Sequence, residues 1–195
     1  MSERSQIAAW DQDRFLRAYR YASTAHKGQT MPDQERLPYC VHLSMVTMEI
    51  CAALTVESVS DPDLAVQCAC LHDVLEDTPT TRLQLENEFG TTVADGVVAL
   101  TKDGSLNKAD AMLDSVNRLL SQPLEVRAVK LADRITNMQT PPPHWSLEKR
   151  QAYAQEARMI LEKLGSASAY LRRRLASKID AYEANHCKAV PSAIN

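Results

Sequence analysis

The stretch Cys70-Leu71-His72-Asp73-Val74-Leu75-Glu76-Asp77-Thr78 places one imidazole and three carboxylates within six positions, directly after the largely apolar run Leu64-Ala65-Val66-Gln67-Cys68-Ala69. In a plain core helix this many acids repel one another and lose hydration, and both costs fall if a divalent cation and its water sit among them. The spacing predicts one helix from Asp61-Pro62-Asp63, an N-cap followed by proline at the first helical position, to about Glu76. On such a helix His72 lies one turn below Glu76 and Asp73 one turn below Asp77. One turn is then placed to bind metal and the next to hold water. The His-Asp dipeptide alone carries little weight, because adjacent pairs recur by chance.

Two further segments add to it. Pro38-Tyr39-Cys40-Val41-His42 sets a lone histidine in the first turn of a predicted helix, about 39–54, after a loop from Lys27 to Pro38. Val129-Lys130-Leu131-Ala132-Asp133-Arg134-Ile135-Thr136-Asn137-Met138 puts Lys130, Asp133 and Asn137 on one helical face and Leu131, Ile135 and Met138 on another. Taken singly, His42 also reads as a satisfied, partly buried histidine, and the Lys130 face as a solvated one. Their combination with His72-Asp73 points to a metal site.

The rest of the chain favours helix. Five glycines in 195 residues and few alternating β-branched runs leave little room for strands. A first helix over about 10–25 carries Phe15, Leu16, Tyr19 and Ala22 on one stripe, and the helix of 39–54 is expected to turn Val41, Met45 and Met48 inward. Thr80 or Thr81 caps a short helix ending at Gly90, and Thr91 or Thr92 begins another reaching Leu100. Helices follow over about 107–120 and 123–138, stopped by Thr140-Pro141-Pro142-Pro143. Ser146 caps the next, Gly165 ends it, and a last helix with Leu171, Leu175 and Ile179 runs to about Tyr182. The expected fold class is all-α, a helical bundle of about eight to ten helices in a single domain with a core over about 10–184 and a tail over 185–195.

Net charge of -3 provides no global basic field, so neither nucleic acid nor membrane is an expected partner. The polar start Met1-Ser2-Glu3-Arg4-Ser5-Gln6 lacks the apolar stretch of a signal peptide, and no apolar run is long enough to span a bilayer. A cytoplasmic location is expected. Five cysteines, odd in number and without a C-x-x-C pair, read as free thiols. Cys68 and Cys70, two apart on a helix, point in separate directions and form no ligand pair.

His42, His72-Asp73 and Asp133, in this order on successive helices, resemble the H…HD…D signature of the HD superfamily of metal-dependent phosphohydrolases. The strings His72 to Thr78, Phe89-Gly90, Leu100-Thr101-Lys102 and Lys130 to Met138 resemble, more narrowly, the hydrolase domain of RelA/SpoT-type alarmone enzymes. Pro143-His144-Trp145-Ser146 and Tyr153 resemble the stand-alone small alarmone hydrolases of the metazoan SpoT-homologue kind. The likeness covers roughly residues 15–185. It implies an HD-domain helical fold and removal of the 3′-pyrophosphate from (p)ppGpp-like nucleotides, a small-molecule nucleotide substrate, with one bound divalent ion, Mn²⁺. It implies His42, His72, Asp73 and Asp133 as metal ligands, and Glu76 and Asp77 as the catalytic pair that orients or deprotonates water. Asn137 matches a nucleotide-contacting position, and Lys102, Lys108, Arg134, Lys149 and Tyr153 are further candidates for substrate binding.

The family loop H-x-x-Q-x-R-K is matched by His26-Lys27-Gly28-Gln29-Thr30-Met31-Pro32, so Met31 and Pro32 stand where a guanine-stacking Arg-Lys pair belongs. Thr136 and Lys149 also depart from the pattern. An adenine alarmone of the (p)ppApp type is therefore an expected alternative substrate, with Arg36 a possible replacement for the missing cation. Other HD nucleotide phosphatases and a catalytically silent nucleotide-binding regulator remain as rival readings.

Overall fold

The computed structural model describes residues 10–32 and 35–188. The polar start at 1–9 and the part of the expected tail at 189–195 lie outside the described residues. Within them the chain forms ten α-helices. These are α1 (Gln12–Ala25), α2 (Cys40–Leu54), α3 (Pro62–Leu71), α4 (Val74–Asp77) and α5 (Arg82–Phe89). Then come α6 (Thr91–Leu100), α7 (Lys108–Leu119), α8 (Leu124–Asn137), α9 (Leu147–Leu164) and α10 (Ala169–His186). No strand is present among the described residues; an isolated antiparallel bridge joins Thr30 to Pro38 in the α1–α2 loop.

The capping chemistry read from the sequence sets most of these boundaries. The Asp61 carboxylate accepts from Leu64 N at 2.9 Å and Pro62 opens α3. Thr81, rather than Thr80, caps α5, in a reciprocal box where its hydroxyl takes Gln84 N and the Gln84 side chain takes Thr81 N. Gly90, at φ 85°, closes α5 and leads directly into α6. A left-handed φ of this size is tolerated by glycine and strained in other residues. α10 continues to His186, one turn beyond the expected end near Tyr182.

Two helices make the centre. In α3 every residue but Asp63 is buried, and in α8 Val126, Val129, Leu131, Ala132 and Ile135 are buried. α3 packs against α1, α2, α6 and α8, while α8 also packs against α2, α9 and α10. Buried Glu125 ties their starts together by accepting from Ser60 N at 2.9 Å and Asp61 N at 3.0 Å. A carboxylate that takes two main-chain donors is satisfied despite its burial.

Three expectations are corrected. α2 does not turn Val41, Met45 and Met48 inward: Met48 is 68% exposed, and Leu43, Val46 and Ile50 face the core. Since α2 is apolar nearly all round, several stripes satisfy a period of 3.6 and packing against α3 and α8 chooses among them. That choice also buries His42. On α1, Leu16 is 50% exposed, and Ala18 and Ala22 form the buried contact. The third helix stops at Leu71, and His72 and Asp73 form a turn before α4. His72 Nδ1 bonds the Ala69 carbonyl at 2.9 Å, competing for the acceptor that an unbroken helix would offer to Asp73 N. Helical bonding resumes from the Asp73 carbonyl, which accepts from Glu76 N at 3.1 Å and Asp77 N at 2.9 Å.

Gly96 on α6 sits where helices meet closely. A Cβ there would lie 2.9 Å from Cys68 Sγ and 3.0 Å from Val126 Cγ2, on α3 and α8. Gly96→Ala is therefore expected to destabilise the fold by about 1–3 kcal/mol through overpacking, although alanine is the better helix former by about 1 kcal/mol. Urea unfolding checks this, and a raised midpoint would contradict the close packing.

Candidate metal centre

The break after Leu71 has a direct consequence for the site. Adjacent side chains on an unbroken helix diverge, whereas the turn brings His72 Nε2 and Asp73 Oδ2 to 2.8 Å. From α2, His42 points its Nε2 to within 3.2 Å of His72 Nε2 and 3.5 Å of Asp73 Oδ2. From α8, Asp133 Oδ1 lies 3.5 Å from His42 Nε2 and 4.0 Å from His72 Nε2. One ligand atom from each of His42, His72 and Asp133 falls within 4.8 Å of the others, and all three residues are buried.

The donor set fits a divalent cation. Because the Ala69 carbonyl can only accept, His72 Nδ1 carries a proton, and in the neutral ring that binds a metal Nε2, aimed into the cluster, is the nitrogen with the lone pair. Mixed imidazole and carboxylate ligands suit a borderline-hard ion such as Mn²⁺ or Zn²⁺. The electrostatics agree. Burial lowers the His42 pKa, but its hydrogen bonds to Asp133 and Asp73 outweigh that and raise it to about 9. The same negative surroundings favour any cation at His42 Nε2, proton or metal. Asp133 is held below the usual carboxylate range: burial pushes it up, and Lys130, His42 and His72 more than reverse the effect.

A second layer braces the carboxylates. Lys130 Nζ lies 3.3 Å from Asp133 Oδ2, and Asn137 Nδ2 donates to Asp133 Oδ1 at 2.6 Å. The Tyr39 hydroxyl donates its one proton to Asp73 Oδ2 at 2.5 Å and lies 3.2 Å from Asp77 Oδ2. Burial, then the nearby Asp73 charge, raises the Tyr39 pKa, so its hydroxyl stays a donor. Glu76 accepts from Lys102 N at 3.1 Å and pairs with Lys102 Nζ. Asp77 is shifted upward by burial and by the charges of Asp73 and Glu76.

These groups line one cavity of about 340 Å³ that includes His42, Asp73, Glu76, Asp77, Lys102 and Asn137. Met31 and Pro32 border it and also border a neighbouring groove of about 650 Å³, walled by Leu37, Val41, Met45 and Pro141–Pro143. A larger groove of about 810 Å³ between α1 and the Thr78–Thr80 loop contains none of the clustered histidines and acids.

The remaining sequence candidates lie off this cavity. Arg134 is buried on another side of α8, paired with Glu156, with its guanidinium 4.6 Å from the Tyr153 ring centre. Tyr153 OH donates to Asn137 O at 3.1 Å, touching the site through the main chain of α8. Lys149 Nζ sits 4.4 Å over the Trp145 ring. Lys108 is exposed at the start of α7. Tyr39 was not singled out from the sequence, yet it stands three residues before His42, a spacing that shares a helical face. His26 and Gln29 were not among the sequence candidates, although both match the H-x-x-Q positions of the family loop, the signal that could have found them.

The HD domain family matches residues 18–168. The chain belongs to the HD-domain family. Among relatives of this HD hydrolase, the Danio rerio guanosine-3′,5′-bis(diphosphate) 3′-pyrophosphohydrolase MESH1 is 31% identical over 164 residues, covering 82% of this chain and 89% of that one. The Drosophila melanogaster protein of the same name is 27% identical over 173 residues, covering 87% and 94%. The Escherichia coli bifunctional (p)ppGpp synthase/hydrolase SpoT is 37% identical over 133 residues, 65% of this chain and 18% of that much longer one. Among solved structures, a metazoan orthologue of SpoT, described as hydrolysing ppGpp, superposes with a TM-score of 0.78 at 25% identity, covering 89% of this chain and 98% of the other. The HD hydrolase thus shares its helical fold with this SpoT orthologue. No helix among the described residues is long and apolar enough to cross a membrane.

Proposed function

We propose that this HD hydrolase removes the 3′-pyrophosphate of a purine nucleotide alarmone, of the (p)ppGpp or (p)ppApp kind, using one divalent ion, Mn²⁺. The observation that carries this reading is the convergence of two imidazole Nε2 atoms 3.2 Å apart with the Asp133 carboxylate, at the wall of a cavity lined by His42, Asp133, Glu76, Asp77 and Lys102. Similarity to 3′-pyrophosphohydrolases over most of the chain supports the substrate class.

His42, His72, Asp73 and Asp133 would hold the ion, which supplies Lewis-acid polarisation of a phosphoryl oxygen and acidifies a water. Lys102 fixes Glu76 from two sides, main chain and side chain, so that Glu76 orients the attacking water. Asp77, which lines the cavity and is shifted upward by burial and by the charges of Asp73 and Glu76, accepts the water proton. Water oxygen bonds to the phosphorus attached to ribose O3′, the P–O3′ bond breaks, and O3′ takes up a proton as pyrophosphate leaves. Lys102 and Asn137, both at the cavity wall, meet the phosphates and ribose.

The proposed base preference rests on the adjoining groove. Among the described residues lining it there is no lysine or arginine; Glu35, Gln139, Thr140 and His144 join Met31, Pro32 and the apolar side chains in its wall. A thioether and apolar side chains stack on any purine, and the groove has no arginine or lysine to stack on guanine in place of the missing pair. We assign the base site to this groove and a preference to adenine.

The test is pyrophosphate release from ppApp and ppGpp with Mn²⁺, beside nucleoside 5′-monophosphates as controls. Expected are pyrophosphate from both alarmones, a higher kcat/KM for ppApp, and no release after chelation of the metal. Faster ppGpp turnover would remove the adenine preference and leave the hydrolase standing. Binding of both nucleotides without any pyrophosphate would sink the hydrolase.

A further inference from the structure

We propose that His26 and Gln29 are positioning residues, which pin the main chain at Asp77 and so aim its carboxylate into the cavity. The proposal rests on the reading of Asp77 as the acid that handles water. Asp77 ends α4, a helix of only four residues, too short to hold its own conformation. Something outside it must do so.

That support comes from the α1–α2 loop. Gln29 Nε2 donates to the Asp77 carbonyl at 2.6 Å across 48 positions of sequence. Because that carbonyl accepts only, the Gln29 amide is oriented with its Oε1 away from Asp77, toward His26 Nδ1 at 2.6 Å. His26 Nδ1 must then be the donor, and the imidazole locks the amide in the orientation that grips Asp77. The His26 ring is buried and its Nε2 has no partner. Leaving a buried ring nitrogen unpaired is costly, so apolar packing alone does not explain a histidine here.

The same loop holds the side chain of Asp77 as well. The His26 ring stacks on Tyr39, with centroids 4.6 Å apart and planes 20° from parallel. Tyr39 N donates to Gln29 O at 3.0 Å, and the Tyr39 hydroxyl reaches Asp77 Oδ2. Gly28, at φ 86°, makes the turn that carries the chain from His26 to Gln29, where Gln29 N bonds His26 O at 3.0 Å. Main chain and carboxylate of one acid are thus gripped from one loop. The Gln29 side chain bonds the Asp77 carbonyl and His26 Nδ1, neither of which belongs to a clustered metal ligand, and this separates its effect from metal binding.

Three variants test this: Gln29→Leu, Gln29→Glu and His26→Phe. Gln29→Glu keeps the size but sets an acceptor against the Asp77 carbonyl; His26→Phe keeps the ring stack but loses the Nδ1 donor. In each, kcat for ppApp or ppGpp is expected to fall about tenfold, with KM and calorimetric Mn²⁺ affinity within about twofold of the unchanged protein. The ¹⁵N signal of the Gln29 side-chain amide should be protected from solvent exchange in the unchanged protein and lose protection in His26→Phe. Unchanged kcat in Gln29→Glu, or parallel loss of kcat and Mn²⁺ affinity, overturns the positioning role. If the unchanged protein yields no pyrophosphate at all, the hydrolase reading fails by itself. The grip on Asp77 is then judged by the amide signal: an unprotected Gln29 amide overturns it, and protection lost in His26→Phe supports it.

Discussion

Asp133→Ala is expected to abolish turnover and to weaken Mn²⁺ binding by more than about 100-fold, since even partners behind the ligands are worth about 10–100-fold at metal sites. Asp133 is the one cluster carboxylate that α8 provides, and it approaches both imidazoles. Its removal does more than delete a ligand. Lys130 is 5% exposed and pairs with Asp133 Oδ2 at 3.3 Å, so the variant leaves a buried ammonium without its counter-charge. Stranding one member of a buried pair typically costs about 3–5 kcal/mol, so the melting temperature should fall as well. The double variant Asp133→Ala with Lys130→Met removes both charges; it is expected to recover stability while remaining unable to bind Mn²⁺. Wild-type Mn²⁺ affinity in Asp133→Ala, by calorimetry, would remove Asp133 from the proposed ligand set. His72→Ala should likewise lose metal and turnover, because its Nε2 is the nitrogen oriented by the Ala69 carbonyl.

Glu76→Ala is expected to separate rate from metal. Glu76 contacts Lys102 through both carboxylate oxygens, away from the clustered histidines, so Mn²⁺ affinity should stay within about threefold while kcat falls by roughly 10²–10⁴, the usual worth of a positioned acid or base. Lys102 is half of that pair. Burial depresses its pKa, but Glu76 outweighs this and raises it. Without Glu76 the ammonium is free to swing toward phosphate, and KM is expected to fall or hold even as kcat collapses. Loss of metal in Glu76→Ala equal to that in Asp133→Ala would contradict the division of roles.

How much of this was legible beforehand can be traced residue by residue. Capping signals are local chemistry, a side chain meeting a main-chain N–H three residues on, and Asp61, Ser146 and Gly90 stand where they were expected. The face of α8 was legible too, since Lys130, Asp133 and Asn137 share a stripe and now form one bonded group. The inward face of α2 was not, because a helix apolar nearly all round has no unique phase. Nor was the break at His72, which depends on a ring nitrogen outcompeting an amide for one carbonyl. Arg134 shows the opposite limit: beside Asp133 in sequence, it turns about the helix to Glu156 and Tyr153, away from the cavity.

The linear order of residues by itself determined an all-helical chain, the ends of most helices and the identity of the histidines and acids, because caps, helix propensity and the crowding of carboxylates act over a few positions. Only the tertiary structure decided that His42 and His72 meet at Nε2, that Asp133 joins them from α8, and that a loop glutamine reaches Asp77. Those distances depend on how α2 and α8 rotate and pack against α3, and packing is a property of surfaces brought together, which no short window of sequence contains.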